Sequence, residues 1–174
     1  GRMEWSTAQS WIGAMNAANY LGTNTWRLPT VAPLNGSTFN YSTSYNGSTD
    51  RGYNQSEQGT AYAGSTASEM AHMFYNTLSN VGYYNTSGSP TGCSGSSPYC
   101  LTNTGPFSNL QPDVYWSGTT YAPNPSRAWG FGFDYGYQGS NDKSNGSYAW
   151  AVSPGDALVP VPGAVWMFGS ALGL

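Results

Sequence analysis

Aromatic and polar side chains are interspersed along residues 121–148, and together they could bind a carbohydrate. Tyr and Trp rings offer apolar faces to the C–H faces of sugars, while their polar tips form hydrogen bonds. Amide, carboxylate and guanidinium groups in the same segment can pair with sugar hydroxyls. We therefore expect a calcium-free binding site that contains Arg127, Asp134, Tyr135, Tyr137 and Asn141.

The spacing of these rings predicts which of them are exposed. Side chains alternate between the two faces of an extended strand, so the odd-numbered rings should share one face. That face contains Trp129, Phe131, Phe133, Tyr135 and Tyr137, and the opposite face contains Gly130, Gly132, Asp134 and Gly136. We expect Phe131 and Phe133 to lie in the core, because they have no polar tip to present to water.

Residues suited to catalysis are sparse. The only histidine, His72, lies in a predicted helix and no Gly-x-Ser-x-Gly pattern occurs, so a Ser-His-Asp hydrolase is disfavoured. Glycoside hydrolysis needs two carboxylates that flank the scissile bond, and the eight acidic residues form no evident pair. Those in the C-terminal half, Asp113, Asp134, Asp142 and Asp156, are expected to serve as caps and turn residues. The sequence therefore predicts a protein that is not an enzyme.

Charge and composition exclude further classes of partner. Only 7% of the 174 residues are charged, the net charge is −3, and the five Lys and Arg residues are scattered singly. Binding to a phosphate backbone needs clustered cations, so we exclude nucleic acid and disfavour polyanionic sugars. Fourteen Tyr and seven Trp supply enough aromatic surface for a folded core. A polar surface built from Ser, Thr and Asn favours an extracellular location.

The two cysteines, Cys93 and Cys100, flank a short run of small and turn-forming residues. This run allows the chain to reverse and bring the sulfur atoms together, which predicts a disulfide. A pair of reduced thiols is the alternative. A zinc site needs four ligands, and one histidine with two cysteines cannot supply them. A disulfide would indicate an oxidising compartment.

Two amphipathic segments, residues 5–22 and 65–84, predict helices. The first has a capping-box pattern at Ser6 and Gln9, and the second has one at Thr66 and Glu69. Their apolar stripes are Ala8, Trp11, Ile12 and Met15 in the first segment, and Met70, Met73, Phe74, Thr77 and Val81 in the second. A long polar stretch, residues 35–64, separates them and has no regular pattern.

The C-terminal half predicts strands. Segments 114–121, 128–139 and 147–155 alternate aromatic with small residues and are separated by turn signals. Three such segments joined by short loops predict an antiparallel meander. Two helices with this meander predict an α+β domain.

Three motifs occur in a characteristic order: "WRLPT" at 26–30, "YWSGTTYAPNP" at 115–125 and "YAWAVSPGD" at 148–156. In this order they resemble the C-terminal domain of the Legionella collagen-like adhesin, the Lcl C-terminal domain family. The resemblance implies a C-type-lectin-like or sulfatase-modifying-factor-like fold, with two helices packed on a small twisted antiparallel sheet with long loops. It assigns residues 1–156 to this domain, without the first strands of the family pattern, and implies a secreted adhesin.

The tripeptide Gln111-Pro112-Asp113 resembles the calcium-coordinating motif of galactose-preferring C-type lectins. Those lectins also need a downstream Trp-Asn-Asp and further carboxylates, because calcium prefers six to eight oxygen ligands. Here Asn141-Asp142 lacks the tryptophan. We interpret the tripeptide as coincidental and expect no metal and no cofactor, with calcium as the disfavoured alternative.

The apolar end of the chain, "VPVPGAVWMFGSALGL", resembles the C-terminal Pro-Glu-Pro sorting signal that an exosortase processes in Gram-negative bacteria. Pro160 and Pro162 match its two prolines, and Val161 replaces the usual Glu. The resemblance implies transient inner-membrane anchoring and assigns residues 157–174 to a linker and anchor. The apolar run is about twelve residues, however, whereas a membrane span needs about twenty. A buried or amphipathic C-terminal segment is the alternative.

Two functions fit these observations. The first is an exported surface or matrix protein that adheres to extracellular polysaccharide. The second is a structural subunit of an extracellular filament or coat, which would assemble with like subunits through low-charge aromatic surfaces and the apolar tail. A sheet edge left open by the missing first strands would favour the second.

Overall fold

Five strands form a mixed sheet at the centre of the protein. The computed structural model describes residues 1–93 and 95–154. Its strands are β1 (Thr43–Ser44), β2 (Arg51–Tyr53), β3 (Val114–Thr120), β4 (Arg127–Gly132) and β5 (Tyr137–Asp142). They lie in the order β1-β2-β5-β4-β3, with β1 parallel to β2 and the other neighbours antiparallel. Together with two helices, this sheet confirms the α+β class.

The sheet differs from the predicted meander in three ways. It is mixed rather than purely antiparallel, because β1 pairs in parallel with β2. The segment 128–139 contains most of β4, a tight turn at 133–136 and the start of β5. Within the segment 147–154, Tyr148 and Val152 form only isolated bridges, to Tyr115 and Arg27. Aromatic alternation continues through the tight turn, which is why the pattern did not reveal it.

The first helix, α1 (Trp5–Ala17), covers one face of the sheet. It buries Ala8, Ile12 and Met15, which pack with Trp116 and Ala128. Burying this apolar stripe stabilises a helix that no side chain caps. The chain enters α1 after Glu4 rather than at the predicted cap Ser6.

The second helix, α2 (Glu69–His72), covers the opposite face and continues as a π-helical turn (Met73–Thr77). Its Phe74 ring packs on Phe131 and Phe133, with ring centroids 5.5 and 5.8 Å apart. The side chain of Ser68, not Thr66, caps it. Because the turn ends at Thr77, Val81 lies beyond the predicted stripe and is 51% exposed. No helix in the two described ranges has the length and apolarity needed to cross a membrane.

Glu69 joins α2 to the "WRLPT" segment instead of completing a capping box. Arg27 donates hydrogen bonds to both of its carboxylate oxygens at 2.6 and 2.7 Å, and the Thr30 N–H donates at 2.7 Å. Burial raises the pKa of Glu69, but the hydrogen bonds from Arg27 and Thr30 outweigh it, so its net pKa is lowered. The opposite charges of Arg27 and Glu69 therefore compensate each other in this half-buried ion pair, as the burial of charged groups requires.

The outer edge of β3 is covered by other parts of the same chain. The Tyr148 N–H donates to the Val114 carbonyl, and the Trp116 N–H donates to the Tyr148 carbonyl, both at 2.9 Å. Farther along, the Gly118 N–H donates to the Pro29 carbonyl at 2.8 Å. The opposite edge strand, β1, is only two residues long. Within residues 1–93 and 95–154, little unpaired strand edge is therefore available to another chain.

A buried glutamine joins the sheet to α2 and to the long polar loop. Gln138, in the central strand β5, is 0% exposed. Its Nε2 donates to the Asp50 carbonyl at 2.6 Å, and its Oε1 accepts a short hydrogen bond from the Ser68 hydroxyl. The Asp50 carboxylate in turn accepts the N–H groups of Leu34 and Asn40 at 2.7 Å each. One side chain thus connects three elements.

We expect Gln138→Leu to lower the free energy of unfolding by about 2 to 4 kcal/mol, because it leaves two buried polar partners unpaired. The matched control is Gln58→Leu. Gln58 is exposed, and its side-chain Nε2 donates a hydrogen bond to Asn76 Oδ1 at 2.9 Å. Its effect should stay within about 0.5 kcal/mol. Urea denaturation measures both values, and equal effects would contradict the role given to Gln138.

Candidate functional site

The tight turn between β4 and β5 carries two of the predicted site residues, Asp134 and Tyr135. Gly136 in this turn has a φ of +71°, and a Cβ there would lie 2.6 Å from the hydroxyl oxygen of Tyr75. That hydroxyl donates a hydrogen bond to the Gly136 carbonyl oxygen at 2.6 Å. Glycine alone tolerates this backbone together with this contact. The turn therefore has a fixed position above α2.

An open cleft of about 330 Å³ lies beside the turn. It is formed where the N-terminal segment, the loop between the cysteines, the segment before β3, the turn and the segment after β5 meet. Its charged and aromatic lining residues are Arg2, Tyr99, Asp113, Asp134, Tyr135 and Tyr148. Rings with a few convergent polar groups are typical of small-molecule binding sites.

Two carboxylates face this cleft, although the sequence showed no acidic pair. Asp113 is bridged by Arg2, whose Nε donates to its Oδ2 at 2.9 Å and whose terminal nitrogen makes a second, shorter contact to the same oxygen. The other oxygen of Asp113 accepts the Val114 N–H at 2.7 Å. The charge of Asp113 is thus compensated within the protein.

Asp134 has no such cation bound to it among the described contacts. Its Oδ1 accepts the N–H of Tyr135 at 3.0 Å. Burial raises the pKa of Asp134, and the nearby charge of Asp113 adds to this rise; hydrogen bonding from Tyr135 and the charge of Arg2 oppose it without cancelling it. The cleft therefore holds a half-buried carboxylate that would gain from a positive or hydrogen-bonding partner.

Three tyrosine rings form walls of the cleft. Tyr99 and Tyr135 stand at 68° to each other with centroids 5.5 Å apart. Tyr148 stacks on Tyr115 at 5.3 Å and 29°, which fixes its orientation. Tyr115 is itself buried, and its hydroxyl oxygen accepts the N–H of Gln111 at 2.8 Å. The walls are thus held by packing before any ligand arrives.

A disulfide between Cys93 and Cys100 closes the loop that carries Tyr99. The N–H of Cys100 donates to the Asp134 carbonyl oxygen at 2.8 Å, so this loop is bonded directly to the tight turn. Cys100 is fully buried. The cross-link therefore holds one wall of the cleft against another.

Tyrosines continue from the cleft across the surface in an unbroken series of ring contacts. From Tyr135 the contacts pass to Tyr83, then to Tyr84 and on to Tyr53, at centroid distances of 5.4, 4.9 and 5.1 Å. Tyr99 contacts Tyr135 at one end of the series, and Tyr45 and Tyr137 both contact Tyr53 at the other. The whole series contains Tyr45, Tyr53, Tyr83, Tyr84, Tyr99, Tyr135 and Tyr137. We call these seven residues the tyrosine belt. Each is at least partly exposed.

Tyr137 shows how the sheet presents a belt residue. Its ring lies over Gly139, where a Cβ would come within 2.5 Å of the ring carbon Cε1. Its hydroxyl oxygen accepts a hydrogen bond from Arg51 Nε at 3.0 Å, and the Tyr53 ring contacts it at 5.0 Å. These contacts hold the ring against the sheet, and Tyr137 remains partly exposed.

The structure brings most of the predicted site residues to one side of the sheet. Tyr137 and Asn141 project from the same face of β5 by strand alternation. A Cβ on Gly132, which pairs with Tyr137, would lie 2.5 Å from Asp134 Oδ1, so the Asp134 carboxylate lies on that face too. Arg127 projects from the other face by the same alternation.

Arg127 is engaged within the protein. It donates to the Ser140 carbonyl at 2.7 Å and lies 3.6 Å from Asp142. The structure therefore places Arg127 on the face opposite to Tyr137, Asn141 and the Asp134 carboxylate.

Sequence reasoning did not assign Arg2, Tyr99 or Tyr148 to the site. Arg2 and Tyr99 lie far from residues 121–148 in the sequence, and Tyr148 is the last residue of that segment; all three line the cleft through tertiary contacts. One signal was available for Tyr99, because its position inside a predicted disulfide loop indicated a fixed surface tyrosine.

Among residues 1–93 and 95–154, no group of three or more His, Cys, Asp or Glu is placed to hold a metal ion. The Gln111-Pro112-Asp113 tripeptide lines the cleft, but its carboxylate is bridged to Arg2 and bonded to a backbone N–H. Gln111 donates through Nε2 to the Asn109 carbonyl at 2.9 Å. The predicted sorting residues Pro160 and Pro162 lie outside the described residues.

Comparison with known proteins identifies the family. The model of the Lcl C-terminal domain family matches residues 1–153, and the chain belongs to that family. No curated protein and no solved structure matches the chain. The match contains all five strands, both helices and the whole cleft.

We expect the double substitution Cys93→Ala/Cys100→Ala to lower the free energy of unfolding by about 2.5 kcal/mol, the loop-closure value for so short a loop. Urea denaturation with and without reductant measures it. Reductant should destabilise the wild type by a similar amount and leave the double variant unchanged. A wild type that is insensitive to reductant would contradict this expectation.

The raised pKa of Asp134 predicts a pH dependence of stability. Because the folded state holds this proton more tightly than the unfolded state, stability falls as pH rises from about 3.9, the unfolded value, through the folded pKa. Asp134→Asn should remove that fall and be more stable than the wild type at pH 7. Urea denaturation from pH 3 to 7 tests this, and parallel curves for the two proteins would refute it.

Proposed function

We propose that this member of the Lcl C-terminal domain family is an exported, non-enzymatic protein of the cell surface or matrix that binds extracellular polysaccharide. The observation that carries this proposal is the tyrosine belt, which runs continuously into the cleft. Phenol rings pack against sugar faces while their hydroxyls remain free to form hydrogen bonds.

Export is supported by the family and by the disulfide. The family is typified by an adhesin-like surface domain, and disulfides persist in oxidising compartments. We propose the surface of a Gram-negative bacterium as the location, with an exosortase-type enzyme acting at the segment of Pro160 and Pro162. Transient anchoring in the inner membrane belongs to the same proposal.

We also propose that the fold is C-type-lectin-like or related to the sulfatase-modifying factors. Two short helices, a small sheet and long cross-linked loops support this assignment. In this arrangement the loops, rather than the helices, carry the binding surface, as is usual when a rigid scaffold presents functional loops.

A structural subunit of a filament or coat is the second candidate function. The exposed, uncharged ring of Tyr45, which is 43% exposed, is the observation that favours it. Strand addition is a poorer route to assembly, because the chain itself covers the edge of β3 and β1 is very short. We therefore favour polysaccharide binding.

Gly139→Ala tests the binding proposal without removing any ring. The new methyl group would displace the Tyr137 ring from its contacts with Arg51 and Tyr53 while the backbone need not move, so the fold should remain intact while affinity falls about three- to tenfold. The matched control is Gly13→Ala on α1, where a Cβ has open space. The wild type is first screened on an array of neutral, amino and acidic oligosaccharides, and calorimetry then compares the variants on its best ligand.

Binding that Gly139→Ala leaves unchanged would mean that Tyr137 is not part of the ligand surface. If no oligosaccharide binds and the protein instead forms ordered filaments with rising concentration, the structural function replaces the proposed one.

A further inference from the structure

We propose that the cleft binds the ammonium group of an amino sugar, so that the polysaccharide this protein recognises contains unacetylated hexosamine. This inference rests on the proposed function and specifies its ligand. It follows from the charges and rings that meet in the cleft.

The charged residues that line the cleft are two aspartates and one arginine, which leaves one negative charge without a matching cation. Arg2 and Asp113 form an ion pair with each other, and Asp113 also accepts a backbone N–H. Asp134 is the second carboxylate, and its hydrogen bonds come from neutral backbone N–H groups, those of Tyr135 and of Asp134 itself. A half-buried carboxylate without a bound cation is costly, and a ligand ammonium would remove that cost.

The rings suit a cation as well. An ammonium group is attracted to the face of an aromatic ring within about 6 Å of its centroid, and several rings together form a cage. Tyr99 and Tyr135 line the cleft in edge-to-face contact with each other, with centroids 5.5 Å apart, and Tyr148 lines it as well. Three rings and a carboxylate lining one cleft are a combination that favours an ammonium over a neutral hydroxyl.

The surroundings of the cleft favour a sugar over a lysine side chain as the source of the ammonium. The tyrosine belt extends from Tyr135 through Tyr83 and Tyr84, and Tyr137 lies against the sheet over Gly139. The rings meet edge to face, at 86° between Tyr135 and Tyr83 and 82° between Tyr83 and Tyr84, so the belt extends aromatic surface and hydroxyls beyond the cleft, where further sugar units of a chain can contact them. A lysine side chain would fill the cleft but leave the belt without a ligand.

The same charges disfavour sulfated or carboxylated chains at this site. Two aspartates face the cleft against a single arginine that is already paired. An anionic sugar would place a negative charge close to Asp134, and the repulsion between the two charges in this partly buried site would weaken binding.

Calorimetry with two chemically matched probes tests the inference: a β-1,4-linked glucosamine hexamer and its fully N-acetylated counterpart. We expect the wild type to bind the glucosamine hexamer at least tenfold more tightly. Asp134→Asn should abolish this preference and bind the two hexamers alike. Asp142→Asn, which alters a carboxylate outside the cleft that lies beside Arg127, should retain the full preference.

A second variant guards against effects of folding. Tyr99 has a φ of +56°, a conformation that asparagine tolerates, so Tyr99→Asn removes one ring at little cost to the backbone. We expect it to weaken binding of the glucosamine hexamer several-fold. Thermal unfolding of every variant shows whether a loss of affinity reflects a loss of structure.

The outcomes separate this inference from the proposed function. Equal binding of the two hexamers by the wild type, or tighter binding of the acetylated one, overturns the ammonium site while polysaccharide binding stands. Binding of neither hexamer, together with binding of another oligosaccharide on the array, also overturns it. Absence of binding to any oligosaccharide removes the proposed function itself. A lysine decamer that binds as tightly as the glucosamine hexamer would assign the site to protein ligands instead.

Discussion

Buried amide side chains pair the backbone of the long loops, and the rest of the structure depends on them. Loops that pass through the interior must satisfy their N–H and C=O groups without a ladder or helix. With only 7% of residues charged, this chain uses Asn, Gln and Ser for that purpose. Asn80 accepts the N–H groups of Thr102 and Asn103 at 3.0 and 2.8 Å, and Gln138 connects strand, loop and helix. Loops held in this way can carry a binding surface with little reordering when a ligand arrives.

The same interactions place the tyrosines. Asn54 donates to the carbonyl oxygens of Tyr45 and Tyr84 at 2.6 and 2.9 Å, which holds two belt residues side by side. Its own N–H donates to the Tyr75 hydroxyl at 3.0 Å, and that hydroxyl donates to the carbonyl of Gly136. Scaffold and site are therefore one hydrogen-bonded system. A continuous chain of hydrogen bonds thus links buried Asn54, through the Tyr75 hydroxyl, to the tight turn beside the cleft.

Apolar periodicity predicted the parts of the fold that bury a regular stripe. It located α1, the core of α2 and the residues of β3 and β4, because each buries residues at a fixed spacing. It could not locate β1 and β2, which are two and three residues long and are held by loop contacts. Of the site, the sequence predicted Asp134 and Tyr135, which lie next to a strand. The other charged and aromatic residues that line the cleft come from the disulfide loop, the N-terminal segment, the segment before β3 and the segment after β5. No local sequence pattern predicts that these segments meet.

In the proposed function, the tyrosine belt and the cleft form a single ligand surface. The most direct measurement is an NMR titration of protein carrying ¹³C-labelled tyrosine rings with the glucosamine hexamer. The fourteen tyrosines report separately on the belt and on the interior. We expect shifts in the cleft and belt rings, including Tyr99 and Tyr137, while buried Tyr75 stays unchanged. Shifts confined to Tyr41 and Tyr121, which pack with each other in a separate cluster, or no shifts at all, would contradict the account.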